Sequence, residues 1–315
     1  NSNQSVPVVH LYGGDFYNNI LKSKINQALG ISSDMGIFKR NIVTGDTYFD
    51  YLNNQNHDWN NNIFLGSVSG KLFLNGNNSS FSYNSIINAK NQTLQIGINE
   101  MHSPPNQDVF FSHNFISSAD DYIIETWGGY GPDILKEYLK ITQNNFLGNR
   151  FQGMISMYGD VNVENNFWGT NDSDEIGALI NDYNNNSELG TVTFTPYLQN
   201  PNLSAPISPP NNVVMSASSG GVTLSWDANP ESDVAGYKVY YGDPTGYLFA
   251  SSIDAGNVTE LSISGLSLSD SIAVTAYDGD IDGTDDQTDG NESWFSSYAK
   301  YVNETPIISA VADTT

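Results

Sequence analysis

The chain has 315 residues, with 11 Lys and Arg against 35 Asp and Glu, a formal net charge of -24, and no Cys. That charge repels phosphate backbones and so excludes nucleic acid; bare polyuronates and sulfated glycans are excluded too unless metal ions bridge them. The lack of Cys removes disulfides, thiolate metal sites and Cys nucleophiles, and the longest apolar runs are strand-sized, such as Val213-Val214-Met215, so no membrane insertion is expected.

An Asn followed by a mostly apolar pair recurs along the first two thirds of the chain. It stands at Asn19, Asn41, Asn62, Asn84, Asn114, Asn145 and Asn166, positions that differ by 22, 21, 22, 30, 31 and 21. Between these residues lie short alternating segments such as Lys71-Leu72-Phe73-Leu74 and Met154-Ile155-Ser156-Met157, bounded by Gly, Asn and Ser. That is strand patterning. A unit of about 21 residues cannot bury its apolar face alone, whereas stacked units share one continuous core. Asn tolerates the left-handed region, and its amide can bond to the amides above and below, so these residues are expected to stack at one corner.

The repeats of 30 and 31 residues carry their extra length at about Asn99 to Gln107 and Gly128 to Ile134. Adjacent insertions gather Glu100, His102, Glu125, Trp127, Tyr130 and Asp133 into one lobe, with Trp59 one or two repeats away. Ring faces beside carboxylates and amides suit sugar binding, so these residues form the candidate glycan site. The bland alternative is that Trp127 fills the core and the insertions are decoration.

The end of the repeat region reads Asn165-Asn166-Phe167-Trp168-Gly169-Thr170, then Glu175-Ile176, Ile180-Asn181-Asp182 and Gly190-Thr191-Val192-Thr193-Phe194-Thr195-Pro196. Asp172 or Ser173 can cap a short helix with Ile176, Leu179 and Ile180 on its apolar side. These features resemble the closing rung of right-handed parallel β-helix proteins of the bacterial extracellular type. The resemblance covers residues 1–198 and implies an all-β solenoid that is secreted or on the bacterial cell surface.

Pro201, Pro206, Pro209 and Pro210 mark residues 199–211 as a stiff linker. Beyond it, Val222-Thr223-Leu224-Ser225-Trp226, Gly236-Tyr237-Lys238-Val239-Tyr240-Tyr241, Leu261-Ser262-Ile263-Ser264 and Ile272-Ala273-Val274-Thr275-Ala276 are alternating strand segments. With Asn291-Glu292-Ser293 leading into a last strand, residues 212–303 resemble a fibronectin type III domain, which implies an antiparallel β-sandwich with Trp226 and Tyr237 in its core. Asp270 and Ser271 stand where that family has a corner tyrosine, so this corner must be held in another way. Residues 304–315 read as the first strand of a further domain or as a loose tail, which points to other domains of a longer chain.

Before the last strand, Asp278-Gly279-Asp280-Ile281-Asp282-Gly283-Thr284-Asp285-Asp286-Gln287-Thr288-Asp289 has the spacing of a calcium loop. The expected ligands of Ca²⁺ are Asp278, Asp280, Asp282, Thr284 through its carbonyl, Asp286 and Asp289. Asp289 in place of Glu, and Asp285 where an apolar residue is usual, depart from the pattern; the competing reading is a solvated acidic turn.

Together these features predict a structural or adhesive surface protein whose β-helix binds neutral polysaccharide or cell-surface glycan. The alternative is a polysaccharide-cleaving hydrolase or lyase of the β-helix type. Lyases of this shape generally use Lys or Arg, yet Arg40 and Arg150, the two arginines, lie outside the lobe. Hydrolases need paired carboxylates at a defined separation, and neighbours in sequence do not establish one.

Overall fold

The computed structural model describes residues 9–52, 58–74, 79–90, 92–98, 107–118, 123–128, 134–148, 150–152, 159–242 and 249–302. The protein is predominantly β, and it divides into two compact units. The first holds residues 1–207, 230–232 and 280–292; the second holds 208–229, 233–279 and 293–315.

The first unit opens with β1 (Val9–Tyr17), β2 (Ile20–Lys39) and β3 (Ile42–Leu52), followed by β4 (Asp58–Asn60), β5 (Ile63–Leu65), β6 (Val68–Phe73), β7 (Ser80–Ser82), β8 (Ser85–Ala89) and β9 (Thr93–Ile98). The two long repeats supply β10 (Val109–Ser112), β11 (Phe115–Ser118), β12 (Ile123–Gly128), α1 (Ile134–Tyr138), β13 (Leu139–Thr142), β14 (Asn145–Leu147) and β15 (Arg150–Gln152). The closing segment adds β16 (Val161–Asn162), α2 (Ser173–Leu179), β17 (Ile180–Asn181) and β18 (Val192–Thr193).

All pairings among these strands are parallel, and each strand pairs with its equivalent in the next repeat. One ladder runs from the end of β2 through β4, β7 and β10 to β13. A second runs from the start of β2 through β3, β5, β8 and β11 to β14. A third links β3, β6, β9, β12, β15 and β17. Because β2 and β3 continue around corners, the ladders join into one sheet.

Period-2 alternation turns the middle residue of each short strand inward. Phe38, Trp59, Phe81 and Phe111 therefore stack in file, their ring centroids 4.9, 6.5 and 5.2 Å apart, all fully buried. Gly70 is required in β6: at φ +89° a Cβ would sit 2.2 Å from the Phe49 carbonyl oxygen.

The amide ladder is continuous. Asn19, Asn41, Asn62, Asn84 and Asn114 each donate through Nδ2 to the Oδ1 of the next, at 2.8 to 3.1 Å, and each Oδ1 also accepts the backbone N–H of the Asn below. In the sixth repeat, however, the stacked residue is Asn144, which bonds to Asn114 and Asn166. Asn145 points elsewhere: it accepts the Asn202 N–H at 2.8 Å and donates to the Asn202 carbonyl. The expected frame was thus one residue late. Left-handed backbone also belongs to the preceding residue in each repeat, namely Asn18, Arg40, Asn61, Tyr83, His113, Gln143 and Asn165, with φ between 54° and 61°.

The closing segment folds as its residues require. Asp172 caps α2 by accepting the N–H groups of Asp174 and Glu175, Ile176 is buried, and Trp168 lies 5.0 Å from Phe146. In the Pro-rich segment Ala205, Ile207 and Ser208 are buried, and Asn202 also donates to the Gln143 carbonyl.

In the second unit, β19 (Val214–Ser218), β20 (Gly221–Ser225), β21 (Gly236–Tyr241), β22 (Ser251–Gly256), β23 (Glu260–Ser264), β24 (Ile272–Tyr277) and β25 (Lys300–Tyr301) form two sheets. The four-stranded sheet has order β23-β20-β19-β25, and the three-stranded sheet β22-β21-β24. Only β19 and β25 pair in parallel. Trp226 and Tyr237 are core residues, 5.5 Å apart. Trp226 directly follows β20 and Tyr237 lies in β21.

The corner before β24 is held by Asp270, whose Oδ2 accepts from the N–H and hydroxyl of Ser267. The expected last strand is irregular. Ser293, Ser296 and Ala299 donate to the carbonyls of Ala276, Val274 and Ile272, a spacing of three against two. The Ser293 and Ser296 hydroxyls accept the N–H groups of Ala276 and Val274 that a regular partner strand would have satisfied.

Candidate functional site

The acidic segment 280–292 belongs to the first unit. It contains a short helix, α3 (Asp286–Asp289), closed by Gly290 in left-handed conformation. Asp286 organises the turn: its Oδ1 accepts the N–H groups of Asp282 and Gly283 at 3.0 and 3.1 Å, and its carbonyl accepts those of Asn291 and Glu292. Asp286 is consequently buried while Asp282 remains exposed.

Among the described residues, the carboxylates that converge are those of Asp282, Asp285 and Asp286, with one oxygen from each lying within 4.8 Å of the others. Oxygens sharing a calcium ion at about 2.3 to 2.6 Å stand at most about 5 Å apart, so the three fit around one divalent cation. Asp285, set aside in the spacing argument, is a member of this group. The helical turn of α3 changes the geometry that a twelve-residue loop would have. Asp289 faces Arg40, whose Nη2 lies 2.8 Å from its Oδ1, while Nη1 is 2.9 Å from Asp285 Oδ2.

Burial pushes the Asp289 carboxyl above the usual carboxylate range; Arg40 opposes this, and Asp285 and Asp282 add to it. Of the remaining expected ligands, Asp280 accepts from Asn291 Nδ2 through its carbonyl, Thr284 lies in the turn before α3, and Asp278 belongs to the second unit. Neither Asp278 nor Asp280 has its carboxylate in the converging group. Arg40 was missed as a partner because it is 245 residues from Asp285.

In the lobe, β9 and β12 pair in register, with Gln95 opposite Glu125 and Gly97 opposite Trp127. Glu125 is buried and accepts from Gln95 Nε2 at 2.9 Å. For Trp127 the backbone is described and the side chain is not; Glu100, His102, Tyr130 and Asp133 lie outside the described residues. Trp59 requires a correction. It is fully buried between Phe38 and Phe81, so its ring face is closed to sugar. The polar neighbours Asp58 and Asn60 in a three-residue strand already imply that inward direction.

Outside both expected sites, Tyr83 and His113 stack on adjacent repeats with centroids 4.8 Å apart. Burial holds the His113 imidazole below its ordinary pKa. No family model, curated protein or solved structure matches the chain.

Proposed function

We propose that this is a secreted or cell-surface bacterial protein with a structural or adhesive role. In this reading the first unit is a right-handed parallel β-helix and the second a fibronectin type III-like sandwich. The β-helix contacts neutral glycan through the lobe around Trp127, and Ca²⁺ orders the acidic segment. The observation that carries the reading is the seven-Asn ladder from Asn19 to Asn166. It commits the amides of the corner to stacking, and so supports a rigid scaffold that offers its outer surfaces for contact. For calcium, support comes from the three carboxylates and their mutual repulsion, which a cation converts to attraction.

Two measurements test this. On a glycan array, Trp127→Ala should abolish binding to neutral glycans; binding equal to wild type removes the lobe. In calorimetry, calcium at one hundred times its dissociation constant should stabilise the transition of the first unit by about 2.7 kcal/mol relative to chelator. The effect is expected in that unit because residues 280–292 are grouped with it. Identical scans, or a full shift retained in Asp285→Asn, remove the metal reading.

A further inference from the structure

Around every ladder Asn of the first unit one pattern recurs: an apolar residue three places before it and another two places after, from Phe16, Asn19 and Leu21 to Val163, Asn166 and Trp168. In the six later repeats both apolar residues are at most 2% exposed, whereas Phe16 and Leu21 are only half-buried. The polar groups of the first corner differ in the same way. The Oδ1 of each later ladder Asn accepts two bonds at 2.8 to 3.1 Å, from the backbone N–H and the Nδ2 of the Asn one repeat before. No described residue donates to Asn19 Oδ1, and Asn19 Nδ2 is already committed to the Tyr17 carbonyl and Asn41 Oδ1.

The backbone adds a donor. The N–H after each later ladder Asn goes to the carbonyl of the Asn one repeat before, as Ile42 donates to Asn19 at 2.8 Å. By the same register the Ile20 N–H faces the open side, where no described residue accepts it. The open stretch is bounded, because further along this edge Val9–Tyr12 of β1 already pairs with Leu29–Ser32 of β2. It runs from Gly14 to Lys22, over strand segments that pair on one side only. The opposite end of the ladder is closed: the Asn166 carbonyl accepts the Leu198 N–H at 3.0 Å, and Asn166 Nδ2 donates to the carbonyls of Ile141 and Val163.

We propose that this open corner binds a short extended segment of another polypeptide, laid parallel to the repeat below it, with Asn three residues after one apolar side chain and two before another. A single Asn satisfies both free groups: its N–H and Nδ2 go to Asn19 Oδ1, and its carbonyl takes the Ile20 N–H. The flanking apolar residues then cover Phe16 and Leu21. An unpaired strand edge is a template for such addition, in which main-chain bonds supply affinity and alternate side chains supply specificity. A second copy of this chain fits less well. Its own later segments of this pattern are engaged in its ladder, and two copies meeting at the open corner would give each Asn19 Oδ1 one donor, the other's Ile20 N–H, where each later Oδ1 takes two.

The test is fluorescence anisotropy of the whole chain with a labelled synthetic peptide copying Ser80 to Asn88. That segment has the pattern and no charged residue, so the net charge of -24 does not attract it. The peptide should bind saturably, and Asn84→Ala in the peptide should weaken binding about ten-fold or more. In the protein, Asn19→Ala removes the acceptor and Ile20→Pro removes the donor; each should weaken binding to a similar extent, while Ile20→Val and Trp127→Ala retain it. Proline is tolerated where the N–H faces away from the sheet, so circular dichroism of Ile20→Pro should match the wild type. The proposal is overturned if millimolar peptide does not bind, if the Asn84→Ala peptide binds equally well, or if Asn19→Ala and Ile20→Pro both bind as wild type. Self-association in sedimentation equilibrium that Ile20→Pro abolishes would also overturn it, by assigning the corner to a second copy.

Discussion

Replacing Asn144 and Asn145 singly by Ala tests the frame of the amide ladder. Asn144 Oδ1 accepts from the backbone N–H and the Nδ2 of Asn114, both at 2.9 Å, and its Nδ2 donates to the carbonyls of Phe111 and Thr142 and to Asn166 Oδ1. Truncation leaves the Asn114 N–H without this acceptor in a fully buried place, at a cost of about 1 to 3 kcal/mol, and the other lost bonds contribute about 0.5 to 1.5 kcal/mol each. Several of those partners keep a second bond, so the total is roughly 3 to 6 kcal/mol. Asn145 loses only its two bonds to Asn202, a change of about 1 to 2 kcal/mol. Guanidinium unfolding followed through the transition of the first unit, with a shared slope, reads the difference directly. Asn145→Ala as damaging as Asn144→Ala would refute the assignment and restore the frame that repeat spacing alone suggests.

Two further outcomes follow from the core and its outer corner. Trp59→Ala should destabilise the first unit by about 3 to 5 kcal/mol through loss of a buried ring, while glycan affinity measured below the lowered melting temperature should be unchanged. For His113, the folded pKa lies below the ordinary 6.5 because of burial, so the stabilising contribution is present above 6.5 and is lost as pH falls through the folded value; melting temperatures between about pH 5 and 7.5 should fall further on acidification in the wild type than in His113→Gln, and parallel profiles would count against the burial.

The sequence was most informative where a physical requirement repeats. Each turn of the chain needs a buried amide at the same corner, so Asn recurs at intervals of 21 to 30 residues; of the alternating segments, Lys71-Leu72-Phe73 lies in the parallel strand β6, while Met154-Ile155-Ser156-Met157 lies outside the described residues. Where two Asn stand side by side, as at Asn144-Asn145, the apolar pair Phe146-Leu147 makes Asn145 the better match by pattern. The deciding feature was the left-handed residue before the ladder Asn, and Gln143 gives no signal of it by type. The contacts of Asn202 were hidden for a related reason, since its partners Asn145 and Gln143 lie 57 and 59 residues back. In the acidic segment, spacing drew attention to Asp282 and Asp286, two of the three carboxylates that converge. It overlooked Asp285 because α3 rearranges the turn, and Arg40 because no local pattern reaches 245 residues.

The outer corner explains why surface chemistry is harder to read than the core. For an L-residue the left-handed conformation costs about 1 to 2 kcal/mol, less for Asn, which accounts for Asn18, Asn61 and Asn165. Gly would avoid the strain, but it forfeits about 0.5 to 1 kcal/mol of conformational entropy on folding. Its net advantage at each corner is therefore about 0 to 1.5 kcal/mol. The Tyr83–His113 stack is of comparable size, about 0.5 to 1.5 kcal/mol, and Arg40 reaches both Asp285 and Asp289 from the same kind of position. The backbone thus leaves this column nearly free to vary, while the adjacent Asn column is fixed by burial. Residues such as Arg40, Tyr83 and His113 are read by what they touch outside the parallel sheet, and a periodicity search, which registers constancy, passes over them.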